Sequence, residues 1–171
     1  MSDLAALAAP GDPGPVWLKV KKYLSGATPQ AQAAFKALKE TLVSQYGNPT
    51  LTVTSFSAAD LITANDALGL GKGTAQIYGI YTKKQADDDD SWFTVVDEGT
   101  DANIYAGALT ASYVISVASR IASKETVLIF PTGFDILVGL RLASMTAGAA
   151  GTTVSASVTD AVNGFIIWRA Q

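Results

Sequence analysis

The segment Asp135-Ile-Leu-Val-Gly-Leu-Arg-Leu142 carries the pattern that decides the fold. Apolar side chains occupy every even position from 136 to 142, whereas the odd positions carry Asp135, Leu137, Gly139 and Arg141. Successive side chains of a β-strand point to opposite faces, so this period of two predicts a strand over 136–142 with one buried face and one partly wet face.

Similar short runs recur from residue 50 onward, separated by Gly, Asp, Asn, Pro or Ser. No helical window lies between them, which favours antiparallel strands over βαβ units. We therefore predict a mainly β fold, an antiparallel jelly-roll-like β-sandwich over residues 51–171, with an N-terminal extended arm and one α-helix. The nine predicted strands are 51–54, 75–82, 92–96, 104–109, 113–118, 126–130, 136–142, 154–158 and 165–169.

The single predicted helix spans residues 29–46. Thr28 suits its N-cap, Pro29 its first turn and Gly47 its C-terminal cap. One apolar stripe follows the spacing of a buried helix face and needs a partner surface. Its members are Ala31, Ala34, Phe35, Leu38, Leu42 and Tyr46.

The first 50 residues differ from the rest in charge as well as in pattern. They carry a net charge of +2, while the remaining 121 residues carry −5. Before the helix, the proline-rich run 10–15 predicts an irregular tether, and 16–24 is an amphipathic stretch whose secondary structure stays open. We place the boundary between an arm-and-helix segment, 1–50, and a β domain, 51–171, at residues 47–49. Residues 57–72 are ambiguous, with room for one helical turn before a loop.

Composition excludes several classes of function. With 49% hydrophobic and 16% charged residues, the chain is too apolar for a disordered protein. Its net charge of −3 disfavours nucleic acid as a partner, and the absence of Cys and His removes thiolate sites and the commonest general base. We expect no signal peptide and no membrane span, although two uncharged 18-residue windows occur, 102–119 and 142–159.

The motifs that resemble chemical sites have plainer interpretations. Four consecutive aspartates, 87–90, lack the spacing of a calcium loop and predict a solvated hairpin tip. The glycine-rich run 69–74 fails the phosphate-loop pattern and predicts a flexible turn. Neither Asp97-Glu98 nor 123–125 forms a recognisable catalytic pair, so we expect no enzyme, no metal and no cofactor.

A mixture of lysines and aromatic side chains in 17–24 is typical of a surface that docks on an acidic protein, with the apolar helix stripe as a second contribution. Packing within the chain and binding of single-stranded nucleic acid remain alternatives. The predicted docking residues are Trp17, Lys19, Lys21, Lys22, Tyr23, Leu24, Phe35, Leu38 and Leu42. We expect residues 1–24 to be removable without loss of the 51–171 fold.

Residues 74–170 resemble the head decoration, or cement, proteins of tailed bacteriophages. The resemblance rests on the runs Ile77-Tyr-Gly-Ile-Tyr81, Trp92-Phe-Thr-Val-Val-Asp97, Glu125-Thr-Val-Leu-Ile-Phe-Pro-Thr-Gly-Phe134, Gly139-Leu-Arg-Leu-Ala143 and Gly164-Phe-Ile-Ile-Trp-Arg169. Physically, Pro131 and Gly133 suit a turn and the aromatic residues suit a sandwich core.

The resemblance implies a structural virion protein on the outer surface of the capsid, where many copies bridge subunits of the major capsid protein. A homotrimer is expected, with no nucleic acid, membrane or small-molecule partner. Two alternatives remain open: a carbohydrate-binding jelly roll that uses exposed aromatics such as Trp92 or Trp168, and a head-tail or tail component.

Overall fold

The computed structural model describes residues 2–8, 15–47, 49–61, 68–84, 91–98, 112–119, 125–145 and 162–171. Its strands are β1 (Thr52–Phe56), β2 (Leu68–Lys72), β3 (Ala75–Lys84), β4 (Ser91–Asp97), β5 (Ser112–Ser119), β6 (Glu125–Ile136), β7 (Gly139–Met145) and β8 (Val162–Ala170). Its helices are α1 (Asp3–Ala6), α2 (Pro15–Tyr23), α3 (Pro29–Tyr46) and α4 (Ala58–Leu61).

The strands form two antiparallel sheets of four. The first sheet has the order β1-β8-β3-β6 and the second the order β2-β7-β4-β5. The prediction of a mainly β, antiparallel protein is confirmed. Two predicted strands, 104–109 and 154–158, and the aspartate run 87–90 lie outside the described residues.

Residues 135–142, the segment with the clearest alternation in the sequence, are divided between two strands. β6 ends at Ile136 and β7 begins at Gly139, so the single strand predicted over 136–142 is wrong. Leu137 and Val138 form the turn between them, with exposed fractions of 68% and 53%. The carboxylate of Asp97 accepts the backbone N–H groups of residues 137, 138 and 139 at 2.9, 2.7 and 3.0 Å, which fixes the turn.

The Pro131–Gly133 segment also differs from its prediction, because it is a bulge within β6 and not a turn between strands. Ile77 of β3 pairs with Phe134 and Gly79 with Ile129, so four residues of β6 lie opposite Tyr78 alone. Gly133 has φ +85°, a conformation that residues with a Cβ rarely adopt. Even-numbered side chains of β6 face the cluster between the sheets both before and after the bulge, whereas in β3 the facing positions change from odd, Ile77, to even, Ile80.

The N-terminal segment is helical where an extended arm was predicted. α2 occupies part of the stretch whose secondary structure was open, and α1 precedes it. α3 confirms the predicted helix: the Thr28 hydroxyl accepts the N–H of Ala31, and Gly47 ends the helix at φ +70°. α4 supplies the one helical turn expected within 57–72, but the glycine-rich turn predicted after it contains β2.

Two hydrophobic clusters place the helices and sheets in three layers. One lies between the helices and the outer face of the first sheet, and the other lies between the two sheets. β8 contributes Phe165 and Ile167 to the first cluster and Ile166 to the second, as the alternation of a strand requires. The first sheet is therefore apolar on both faces, and the helices provide the cover that its outer face needs.

Candidate functional site

Helix α2 is the element on which the predicted docking residues concentrate. Trp17, Val20 and Leu24 lie on one stripe of helical spacing, and they are 6%, 0% and 0% exposed. They pack in the same cluster as Phe165 of the first sheet. These side chains therefore cover the chain's own β-sheet, which is the intramolecular alternative that the sequence left open.

The apolar stripe of α3 is buried in the same way. Phe35, Leu38 and Leu42 are at most 1% exposed and belong to this cluster. Five of the nine predicted docking residues are therefore buried in this conformation and are not available to a partner. They are Trp17, Leu24, Phe35, Leu38 and Leu42. Their physical role is to bury the outer face of the first sheet, which contributes on the order of 2 kcal/mol for each large side chain.

The opposite side of α2 carries two of the four remaining predicted docking residues, Lys19 and Lys22, beside Leu18, which was not among the nine. Leu18 is 61% exposed, and Lys19 and Lys22 are also exposed, three and four residues apart on one side of the helix. We call Leu18, Lys19 and Lys22 the α2 outer face. Lys21 is half-buried, and Tyr23 is 36% exposed at the end of the helix.

Glu125, at the start of β6, joins this helical layer to the sheet. Its Oε2 accepts the N–H of Thr28 at 3.1 Å and the Thr28 hydroxyl at 2.7 Å, and its Oε1 accepts the Tyr81 hydroxyl at 2.9 Å. Lys83 Nζ lies 3.7 Å from Oε1. A carboxylate at the N-terminus of α3 is also favoured by the helix dipole. The sequence analysis excluded 123–125 as a catalytic pair and did not predict this contact, because the partners of Glu125 lie 44 and 97 residues away.

The protonation of this contact follows from its hydrogen bonds. Burial acts to raise the pKa of Glu125, but the hydrogen bonds from Thr28 and Tyr81 and the charge of Lys83 outweigh it, so the pKa is lowered from its usual value of 4.5. Burial, followed by the hydrogen bond to Glu125, raises the pKa of Tyr81. Glu125 is therefore an anion at neutral pH and Tyr81 a neutral donor.

A cleft of about 590 Å³ opens between the end of α2, α4 and the first sheet. Its wall includes Tyr23, Ser55, Asp60 and Lys83, and Phe165 lies at its base. The Tyr23 hydroxyl donates to Ser55 Oγ at 3.0 Å, and the Tyr23 ring stacks on Phe165 with the ring centroids 5.5 Å apart. The cleft therefore combines an aromatic wall with several polar groups, a composition common to ligand sites.

The two tryptophans singled out for carbohydrate binding lie elsewhere. Trp168 is half-buried, and its Nε1 donates to Thr54 Oγ1 at 3.1 Å. It packs against the cluster between the two sheets. Trp92 belongs to β4, but its side chain is outside the described part of the protein.

The described residues show neither a cluster of metal-ligating side chains nor a membrane-spanning helix. They contain no group of three or more His, Cys, Asp or Glu side chains arranged around a common point. Among the described helices, none combines the length and the apolarity that crossing a bilayer requires.

No family model matches the chain, and no curated protein matches it. Function must therefore be inferred from the residues and their geometry.

Proposed function

We propose that this protein is a structural component of a bacteriophage virion, a decoration protein that binds the outside of the head. Copies of it, as a homotrimer, bridge and stabilise neighbouring subunits of the major capsid protein. The resemblance of residues 74–170 supports this proposal. The three-layer body also suits a load-bearing role, because two separate apolar clusters hold its layers together.

The pairing of the strands supports the finer description as a jelly roll. The observed pairs include β1 with β8, β2 with β7, β3 with β6, and β4 with β5. This is the pairing of a long hairpin whose midpoint lies between β4 and β5. Folding that hairpin over brings β3 beside β8 and β4 beside β7, both of which are antiparallel neighbours here. Such a wrapped hairpin of eight strands in two sheets is the jelly-roll arrangement.

The α2 outer face is the observation that carries the docking proposal. The buried stripe of α2 is anchored on the sheet, so Leu18, Lys19 and Lys22 are displayed on a fixed helix and not on a flexible arm. An exposed leucine beside two lysines fits an apolar pocket with an acidic rim. Many identical copies on one shell allow a contact of this small size to suffice.

The copy number per virion tests this proposal. Quantitative mass spectrometry of purified virions, referenced to the major capsid protein, is expected to give hundreds of copies, because a decorated shell repeats its binding site over the whole surface. About a dozen copies would instead place the protein in a connector or tail ring, and its absence from the virion would overturn the proposal.

A further inference from the structure

We propose that the cleft between α2, α4 and the first sheet binds a neutral saccharide. This inference is independent of the capsid proposal, because the cleft lies at the end of α2 and not on its outer face. A sugar ring offers an apolar C–H face and an edge of hydroxyl groups. The cleft, about 590 Å³ in volume, offers the complement of both.

The apolar complement is the ring of Tyr23. It stacks on Phe165, which in turn stacks on Tyr81, with both centroid separations 5.5 Å. The hydrogen bond from Tyr23 to Ser55 Oγ, 3.0 Å long, holds the ring against rotation. Because Phe165 is fully buried and Tyr23 is 36% exposed, the stack presents one aromatic residue to the cleft from a rigid base.

The polar complement begins with Asp60. Its Oδ2 accepts the N–H and the hydroxyl of Ser57 at 2.7 and 2.8 Å, and these two bonds fix the carboxylate at the start of α4. Within the described part of the chain, Asp60 Oδ1 has no hydrogen-bond partner. Asp60 Oδ1 can therefore accept a hydrogen bond from a sugar hydroxyl. The Ser55 hydroxyl accepts a hydrogen bond from Tyr23, and it can donate its own proton to a second sugar hydroxyl.

The charges of the cleft favour a neutral ligand. The carboxylate of Asp60 and the ammonium of Lys83 both line it, and Lys83 is already 3.7 Å from Glu125. Neither an anion nor a cation therefore meets a field of one sign. A saccharide, which has hydroxyl groups but no charge, satisfies the donors and acceptors without leaving a buried charge unpaired.

One wall of the cleft is closely packed at Gly164. A Cβ at this position of β8 would collide with the Tyr81 carbonyl and approach the Phe56 ring to 2.9 Å. The backbone of β8 therefore lies close against β3 and the Phe56 ring on this side of the cleft. A closely packed wall needs little rearrangement when a ligand binds.

Titration of the full-length ¹⁵N-labelled protein tests the proposal. The probes are maltose, cellobiose, lactose and N,N′-diacetylchitobiose, each added to about 50 mM, a range that detects millimolar dissociation constants. At least one is expected to shift the amide signals of Gly26, Ser55 and Gly164 in a saturable manner. The absence of a saturable shift with all four sugars would overturn the proposal.

The variant Asp60→Asn locates the binding. An asparagine keeps an oxygen for Ser57 but replaces the second carboxylate oxygen by an amide, so the dissociation constant is expected to rise roughly tenfold while the fold is kept. Glu40→Gln, the same change on the exposed surface of α3, is the matched control and should bind like the parent. Equal affinity of the parent and Asp60→Asn would place the sugar elsewhere and overturn the assignment.

Discussion

Glu125 shows how much of this structure depends on a single side chain. Its carboxylate bonds to both groups of Thr28 and to the Tyr81 hydroxyl, so one residue connects the N-terminus of α3, β3 and β6. Hydrogen bonds of this kind, with one ionised partner, contribute more than neutral ones. The helical layer is therefore attached to the sheet by a polar contact as well as by the apolar cluster.

This contact predicts a pH dependence of stability. The pKa of Glu125 is lower in the folded protein than its ordinary 4.5, so its contribution is complete above that value and is lost as the pH falls through the folded pKa. Glu125→Gln is expected to lower the free energy of unfolding by about 2 kcal/mol at pH 7 and by much less at pH 3. Urea unfolding of both proteins at the two pH values measures the difference. An equal difference at both values would contradict an ionised Glu125.

At the scale of elements, the approach of α3 to β3 depends on Gly79. A Cβ there would lie 2.8 Å from Phe35 Cε1 and 3.1 Å from Leu38 Cδ2. Neither side chain can easily move, because both are buried and Phe35 also packs on Phe165 with centroids 5.0 Å apart. The glycine allows the helix to lie close to the strand.

A side chain at position 79 should therefore push α3 away from β3 and weaken their packing. Gly79→Ala is expected to lower the free energy of unfolding by about 1–3 kcal/mol through overpacking. Gly26→Ala is the control, since no atom lies within 4 Å of its Cβ position and its φ is not positive; it should be neutral or slightly stabilising. Thermal unfolding measures the melting temperatures of Gly79→Ala and Gly26→Ala. Equal melting temperatures would show that α3 accommodates the methyl group.

The elements that the sequence predicted well are those with local signals. α3 is flanked directly by its caps, Thr28 and Gly47, and β8 contains the short apolar run 165–168, which follows Gly164. β2 was missed because Gly69 and Gly71 are typical of turns, and it becomes a strand by pairing with β7. Lys39 is not part of the predicted apolar stripe of α3, yet it is 7% exposed and its Nζ donates to the carbonyls of Ala6 and Leu7 at 3.1 and 3.0 Å.

The candidate site was less accessible from sequence, for a physical reason. The amphipathic pattern of 16–24 correctly indicated one apolar and one cationic side of α2, but pattern alone does not say which side meets the sheet. Trp17 was predicted to be the aromatic anchor of a docking surface, but it is buried against the chain's own sheet. Lys19 and Lys22 are exposed, so their role in docking stays a prediction. The cleft could not be foreseen, because Tyr23, Asp60 and Gly164 meet only in the fold.

At the scale of the whole molecule, the boundary in charge is not a boundary in packing. Residues before and after position 50 share one apolar cluster, in which Leu7 and Leu24 lie with Tyr78 and Phe165. The described helices of this segment, α1, α2 and α3, therefore form the third layer of the protein. A truncation of this segment therefore tests the stability of the fold and does not test capsid binding alone.

Deleting residues 2–24 is expected to destabilise the protein, contrary to the expectation from sequence. The deletion removes Leu7, Trp17, Val20 and Leu24 from the outer face of the first sheet, a loss on the order of 5 kcal/mol, comparable with the whole stability of many domains. Denaturant unfolding of the truncated chain measures this loss. An unchanged midpoint would show that the first sheet does not need its helical cover.

Capsid binding must instead be tested where the helix is exposed. The combined variant Leu18→Ser, Lys19→Gln and Lys22→Gln changes the α2 outer face alone, so its unfolding free energy should stay within about 0.5 kcal/mol of the parent. It should nevertheless lose co-sedimentation with undecorated capsids. Val43→Ser, at an exposed apolar residue of α3, is the control that should still bind. Full binding by the combined variant would exclude α2 as the docking surface, because its other side is already occupied by the sheet.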